Sequence, residues 1–341
     1  DTGEKTPDEF LERLVGNGLR ERFRDCSEEE EIEVQDRAQY ELSVIKEMGF
    51  AQYFLSVKDY MDFAKDAKIP CGPGRGSAAG SLISYALGLT KVDPLKHGLI
   101  FERFLNPSRQ DFPDIDSDFC KERREEVVEY LEEKHGADKV ARIITVGRFG
   151  AKSALRRSCT IFDLKLQDAD LIAKRLSDDA SIEESIKADP LLKEDFFKHK
   201  KIFETAIELQ QFVSNVGVHA SGLIVSKDPL HEIVPLSKSK DGAITTQWDG
   251  PACEKIGLIK YDLLGLQTLT LIAKCLDLIE DRHGMKIDLD EIDFTDKKIF
   301  ELYQRGDTEG IFQCYSDGMQ DLMLKIKPTH FDHITAALAL F

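Results

Sequence analysis

Apolar residues recur every three or four positions along much of this chain, and every second position in a few short stretches. At the longer spacing, Phe10, Leu11, Leu14 and Leu19 predict an amphipathic helix over 8–25. A second helix is predicted over 31–48, followed by an aromatic-rich segment over 48–63. Small residues then dominate: 77–89 predicts a tight helix of Ser, Ala and Gly carrying Leu82, Ile83 and Leu87, able to pack close to neighbouring backbone. The segment 99–105 is apolar with Arg103 inserted, and 111–119 alternates as a short strand does. Val127, Val128 and Leu131 define a helix over 121–134 with Gly136 near its end, and 140–146 predicts another strand. From about 148 to 213 only helical patterns occur, over 149–157, 167–176, 182–187 and 191–209. Strand patterns return over 222–225, 244–248 and 258–264, and a last helical region starts at Leu266. The chain reads as an α/β (α+β) protein whose two strand-bearing halves are separated by a helical insert.

Composition narrows the class. A length of 341 residues suits about two domains, and 42% hydrophobic residues can bury a core. The seven cysteines are scattered, odd in number and without zinc-ligand spacing, as expected of reduced thiols in a cytosolic protein. No apolar run reaches the roughly 18 residues a membrane helix needs, and the start has no apolar signal region. The chain begins at Asp1 without Met and stops inside the apolar run 336–341, so both ends read as cuts in a longer protein. A net charge of −17 argues against a simple polyanion binder. Acid concentrates in 28–33, 163–189 and 288–296, however, and base in 142–157 and 198–201. One basic groove is compatible with that acidic average.

Two motifs carry chemistry. In a strand, residues i and i+2 share a face, so Asp114 and Asp116 would point the same way. Two ionised carboxylates that close repel unless a cation lies between them, and oxygen-only ligands suit Mg²⁺. A calcium loop competes, because Asp114, Asp116, Asp118 and Glu125 fall at its positions 1, 3, 5 and 12. Phe119 stands where that loop needs Gly, and Lys121 where it needs an apolar residue. A solvated acidic loop is the third possibility. The second motif, 71–80, is a glycine turn running into small residues. It is neither a Walker A loop nor a dinucleotide fingerprint, yet Gly76 and Ser77 at a helix start can offer N–H groups and a hydroxyl to phosphate.

Further along, the apolar strand 257–264 carries Lys260 and Asp262 on one face. It is either an edge strand with a surface ion pair or the source of a third metal ligand, balanced by Lys260. His219 has no second His or Cys at ligand spacing and reads as structural. Arg148, Lys152 and Arg156 stand at i, i+4 and i+8, one helical stripe that is either a solvated face or a contact for a phosphate backbone.

The strings Tyr40-Glu-Leu-Ser-Val-Ile-Lys-Glu-Met-Gly-Phe50, Gly72-Pro-Gly-Arg-Gly-Ser-Ala-Ala-Gly-Ser81, Phe101-Glu-Arg-Phe-Leu-Asn-Pro107, Pro113-Asp-Ile-Asp-Ser-Asp-Phe119, His219-Ala and Lys260-Tyr-Asp-Leu-Leu-Gly-Leu266 occur in this order. Together they resemble the catalytic α subunits of bacterial DNA polymerase III, the C-family replicases, over about residues 40–341. The resemblance implies a polymerase-beta-like nucleotidyltransferase palm with a mixed sheet, over 1–145 and 215–267. It implies a helical thumb over 146–214 and the start of the fingers over 268–341. It implies a catalytic, metal-binding triad of Asp114, Asp116 and Asp262 holding two Mg²⁺ ions. Arg75, Gly76, Ser77, Arg103, Arg109 and Lys260 would contact the nucleotide and its phosphates, and Arg148, Lys152 and Arg156 the DNA. Implied partners are primer–template DNA, dNTPs, the sliding clamp and other replisome subunits, in the bacterial cytoplasm at the nucleoid, with no membrane. The chain then reads as a catalytic-core fragment of a template-directed DNA polymerase, inactive alone. Ser214, Ser221 and Cys314-Tyr-Ser depart from the family pattern and leave open whether this is the main replicase or an error-prone paralogue. Two other classes compete: another two-metal phosphodiesterase or nucleotidyltransferase, and a calcium-binding module.

Overall fold

The computed structural model describes residues 6–109 and 112–341. They form two compact units, one of Asp1–Ala137 with Ile259–Phe341, the other of Asp138–Leu258. The architecture is mixed α/β, as the alternating and helical patterns predict, with fifteen α-helices and six strands among the described residues.

The first unit opens with α1 (Pro7–Arg22), α2 (Glu28–Glu47) and α3 (Ala51–Asp66). Thr6 caps α1, and Ser27 with Glu30 forms a capping box at α2, which sets starts that apolar periodicity alone leaves vague. The predicted small-residue helix is two pieces, a 3-10 turn Gly76–Gly80 and α4 (Leu82–Ala86). The break falls at Ser81, whose side chain caps α4. Strand β1 (Asp116–Cys120) is shorter than the predicted 111–119; Asp111 lies outside the described residues, and Asp114 precedes the strand. Helix α5 (Arg124–His135) follows and ends at Gly136, whose φ is +101°.

The second unit begins with β2 (Val140–Arg148). Its helical insert comprises α6 (Ala151–Ile161), α7 (Leu166–Ala173), α8 (Ile182–Ala188), α9 (Pro190–Lys198) and α10 (Lys200–Leu209). The predicted single helix over 191–209 turns at His199, which lets Leu192 and Phe203 reach one buried cluster with Leu155, Ile172 and Ile182. Then come β3 (Val213–Val225), β4 (Leu236–Lys238), β5 (Ile244–Asp249) and α11 (Gly250–Lys255). Strand β3 is far longer than the predicted 222–225. Its first half pairs antiparallel with β2, and exposed Val213, Val216 and Val218 hide the one-sided apolar signal. Strand β2 also pairs in parallel with β5, which pairs antiparallel with β4.

The chain returns to the first unit through β6 (Lys260–Leu266) and α12 (Gln267–His283). Strand β6 pairs in parallel with β1, their register placing Asp116 opposite Asp262. Helices α13 (Lys297–Gln304), α14 (Asp317–Ile326) and α15 (Phe331–Leu340) close the chain around a small cluster of Phe300, Cys314, Met319, Met323, Ile334 and Ala337. This unit also buries Tyr53, Phe54 and Tyr60 of α3, Phe101, and Phe119 of β1.

Candidate active site

Three segments converge at the start of β1. The first is β1 itself. Tyr53, buried on α3, accepts a hydrogen bond at its hydroxyl from the Ile115 N–H at 2.9 Å, which pins the backbone between Asp114 and Asp116. Tyr60, two turns on along α3, shares a 2.9 Å hydrogen bond with Ser117 of β1. The second segment is β6, which brings Asp262 and Lys260. The third is the glycine turn. Gly72 N–H donates to the Asp118 carbonyl at 2.9 Å and Cys120 N–H to the Pro70 carbonyl at 2.8 Å, so 70–72 lies along β1. Gly76 then bends in the left-handed region at φ +61°, where a side chain is strained, and a Cβ there would stand 3.8 Å from Asp116 Oδ2.

Asp114, Asp116 and Asp262 each offer one oxygen to a group of three that lie within 4.8 Å of one another. Lys260 Nζ sits 2.5 Å from Asp262 Oδ2 and 3.8 Å from Asp114 Oδ1. One ammonium therefore faces a cluster of three carboxylates. Burial raises the Asp114 carboxyl to about 6; Lys260 opposes the shift, and Asp262 and Asp116 add to it. The side chain is nevertheless 57% exposed, so water screens much of that repulsion. Asp116 is raised for the same reasons, burial first and Asp262 next, with Arg75 opposing. A cluster of like charges whose ionisation is resisted is the setting a divalent cation relieves. Its oxygen-only donors fit Mg²⁺ or another hard cation.

Asp118 stands outside this trio. It is buried and paired with Arg75, at 3.0 Å from Nε to Oδ2 and 3.0 Å from Nη2 to Oδ1. This fork holds the guanidinium beside Asp116. A calcium loop through Asp118 and Glu125 is not formed: the first lies in a strand, and the second is on α5, paired with Arg124.

The remaining candidates each have partners of their own or stand exposed. Arg103 ends the turn Phe101–Arg103 and is exposed, and Arg109 donates from Nη2 to the Glu102 carbonyl at 2.7 Å. His219 accepts at Nδ1 from the Gly222 N–H at 2.7 Å and the Ser221 N–H at 3.2 Å, in keeping with a structural role. Arg148 is not helical; it ends β2 opposite Val213, because strand pairing and Gly147 and Gly150 hold it out of α6. It donates to the Gln211 carbonyl at 2.8 Å. On α6, Lys152 pairs with Asp178 at 2.6 Å and Arg156 with Asp170 at 2.7 Å.

Sequence reasoning passed over Glu41, Arg37, Tyr53 and the Asp118–Arg75 fork. One signal was present: on α2, Glu41 falls on the stripe of Val34, Ala38, Val44 and Ile45, a carboxylate on an otherwise apolar face.

Comparison with known proteins gives the family. Residues 9–265 match the model of the bacterial DNA polymerase III alpha NTPase domain, and residues 268–341 that of the bacterial DNA polymerase III alpha subunit finger domain. The chain belongs to the bacterial DNA polymerase III alpha family. DNA polymerase III subunit alpha of Aquifex aeolicus is 41% identical over 99% of this chain and 32% of its own length. That of Campylobacter jejuni is 42% identical over 98% of this chain and 28% of its own. That of Bacillus subtilis is 42% identical over 98% and 30%. The chain thus spans about a third of the length of these relatives.

Proposed function

We propose that this chain carries the nucleotidyl-transfer centre of a template-directed bacterial DNA polymerase. The observation that carries the proposal is the convergence of Asp114, Asp116 and Asp262 beside the Gly76–Ser77 turn, in a chain of this family. Asp114 and Asp116 would hold two Mg²⁺ ions and Asp262 one of them. Bound there, the ions would lower the pKa of the primer 3′-OH and neutralise the triphosphate. The chain's own residues position and balance charge. Lys260 keeps the carboxylates together and offsets one of their charges. Arg75, aimed by Asp118, together with Gly76, Ser77, Arg103 and Arg109, would bind the phosphates and orient the nucleotide for in-line attack. Residues 1–145 and 215–267 would serve as palm, 146–214 as thumb and 268–341 as the start of the fingers. Primer–template DNA, dNTPs, a sliding clamp and other replisome subunits would be the partners of the whole protein, in the cytoplasm at the nucleoid. No helix among the described residues is long and apolar enough to cross a membrane.

Primer extension tests this. With the full-length protein, Mg²⁺ and dNTPs, template-directed extension is expected from the wild type and none from Asp114→Ala. Extension that survives this substitution would refute the assignment.

A further inference from the structure

Helix α2 contributes nothing to the triad, yet it holds a fully buried charge. Glu41 has no exposed surface. A carboxylate in such a place is costly unless it is paired and fully hydrogen-bonded. Four donors meet it: Arg37 Nε at 2.7 Å, Ser81 Oγ at 2.8 Å, Leu82 N–H at 3.0 Å and Ile83 N–H at 3.1 Å. Arg37 reaches further. Its Nη2 donates to the Gly80 carbonyl at 2.9 Å and to the Leu99 carbonyl at 3.3 Å.

Those two carbonyls belong to different segments. Gly80 closes the turn that carries Gly76 and Ser77, and Leu99 leads into the turn that carries Arg103. The segments touch so closely that a Cβ at Gly80 would lie 2.8 Å from the Ile100 carbonyl oxygen. On the same helix, Tyr40 donates its hydroxyl to Glu102 Oε1 at 2.8 Å, and Arg109 donates to the Glu102 carbonyl at 2.7 Å. Helix α2 therefore grips both arms of the phosphate-binding surface through directional bonds. Packing alone does not demand this arrangement, since a buried ion pair is often no more stabilising than apolar residues of similar volume.

We propose that Arg37, Tyr40 and Glu41 are positioning residues that fix the distance between the Gly76–Ser77 turn and the Arg103–Arg109 arm, and so the fit of the site to a nucleoside triphosphate. The inference rests on the nucleotidyl-transfer function proposed above. A shift of about 1 Å in such a frame is enough to cost on the order of a hundredfold in rate.

The test uses the full-length protein with Arg37→Gln, Arg37→Lys, Glu41→Gln and Tyr40→Phe. KM for dNTP, kcat, the Kd for primer–template and the melting temperature are measured for each. Arg37→Gln and Glu41→Gln should raise KM for dNTP by about tenfold or more while primer–template affinity stays within about twofold, a split that general loss of structure does not produce. Pyrophosphate, which would share the same phosphate contacts, should inhibit these variants more weakly. Arg37→Lys, which cannot span both carbonyls and Glu41, should not restore KM. Tyr40 is 43% exposed, so Tyr40→Phe keeps the fold and should raise KM by about threefold, the worth of one net hydrogen bond. If the Gln variants fail to fold, Arg37→Lys and Tyr40→Phe decide. An unchanged KM in both overturns the inference, as does a fall in every parameter in proportion to folded protein. Asp116→Asn separates the two levels. If it still incorporates nucleotide, the function itself is wrong; if it is dead while KM is unmoved in the α2 variants, only the role of α2 is wrong.

Discussion

The acidic trio at the start of β1 and on β6 and the basic stripe near α6 are alike in one respect, each being three like charges. In the structure they part. Asp114, Asp116 and Asp262 gather around Lys260, and their oxygens crowd within 4.8 Å. Lys152 and Arg156 have an acidic partner each, and Arg148 has a backbone carbonyl. The stripe's charges each face a separate partner, whereas the carboxylates share one ammonium and still raise one another's pKa, a setting that a cation relieves. Residual imbalance, more than the number of charges, separates a candidate site from a solvated face.

The largest expected effect breaks the comparison at its acidic end. Asp116→Asn or Asp262→Asn in the full-length protein should lower nucleotide incorporation by about a thousandfold or more, the scale of several kcal/mol of lost charge stabilisation. Single-turnover primer extension measures it, and loss of less than tenfold would dissolve the distinction drawn above. Metal binding comes next. At Mg²⁺ concentrations near 100 times its Kd, the wild type should gain about 2.7 kcal/mol against unfolding. Asp262→Asn should lose most of that gain when the two proteins are melted with Mg²⁺ and with chelator. Equal stabilisation of both would place the ion elsewhere.

Glu41 sharpens the comparison, because it is a carboxylate whose partners are all in place. Burial still raises its pKa, against the pull of the Leu82 and Ile83 N–H groups, Arg37 and Ser81. The folded protein therefore keeps the proton to a higher pH than the unfolded chain does. Its favourable contribution is complete below the ordinary carboxylate pKa and is lost as pH rises through the folded value. The stability of the wild type relative to Glu41→Gln should accordingly fall as pH rises above the ordinary carboxylate range, as read by urea denaturation. A difference that grows with pH would mean that the four donors outweigh burial.

The smallest effects belong to the stripe. Lys152→Ala and Arg156→Ala should each change stability by no more than about 1 kcal/mol, as exposed ion pairs do. If the stripe meets DNA by exchanging Asp178 and Asp170 for phosphates, the triple alanine variant should flatten the salt dependence of DNA binding by up to about three phosphate charges. An unchanged slope in a salt titration would leave the stripe a solvated face.

Much of this was legible in the residues alone. Local rules place the helices, since caps such as Ser27 with Glu30 and stripes such as Val34, Ala38 and Val44 act within one or two turns. The family motifs single out Asp114, Asp116 and Asp262 before any fold is drawn. Pattern could not supply β3, whose first half is exposed and follows no one-sided alternation, or the true setting of Arg148, which β2 claims from the helix. Nor could it supply the opposition of Asp116 to Asp262, the fork of Asp118 on Arg75 or the grip of Arg37 on Gly80 and Leu99. Each of these joins segments far apart in the chain, and strand register and buried charge pairing are settled by which surfaces pack together. The sequence by itself determined the carboxylates, the glycine turn and the helices that carry them. Only the tertiary structure decided which charges remain unbalanced, because balance depends on distances that no local spacing encodes.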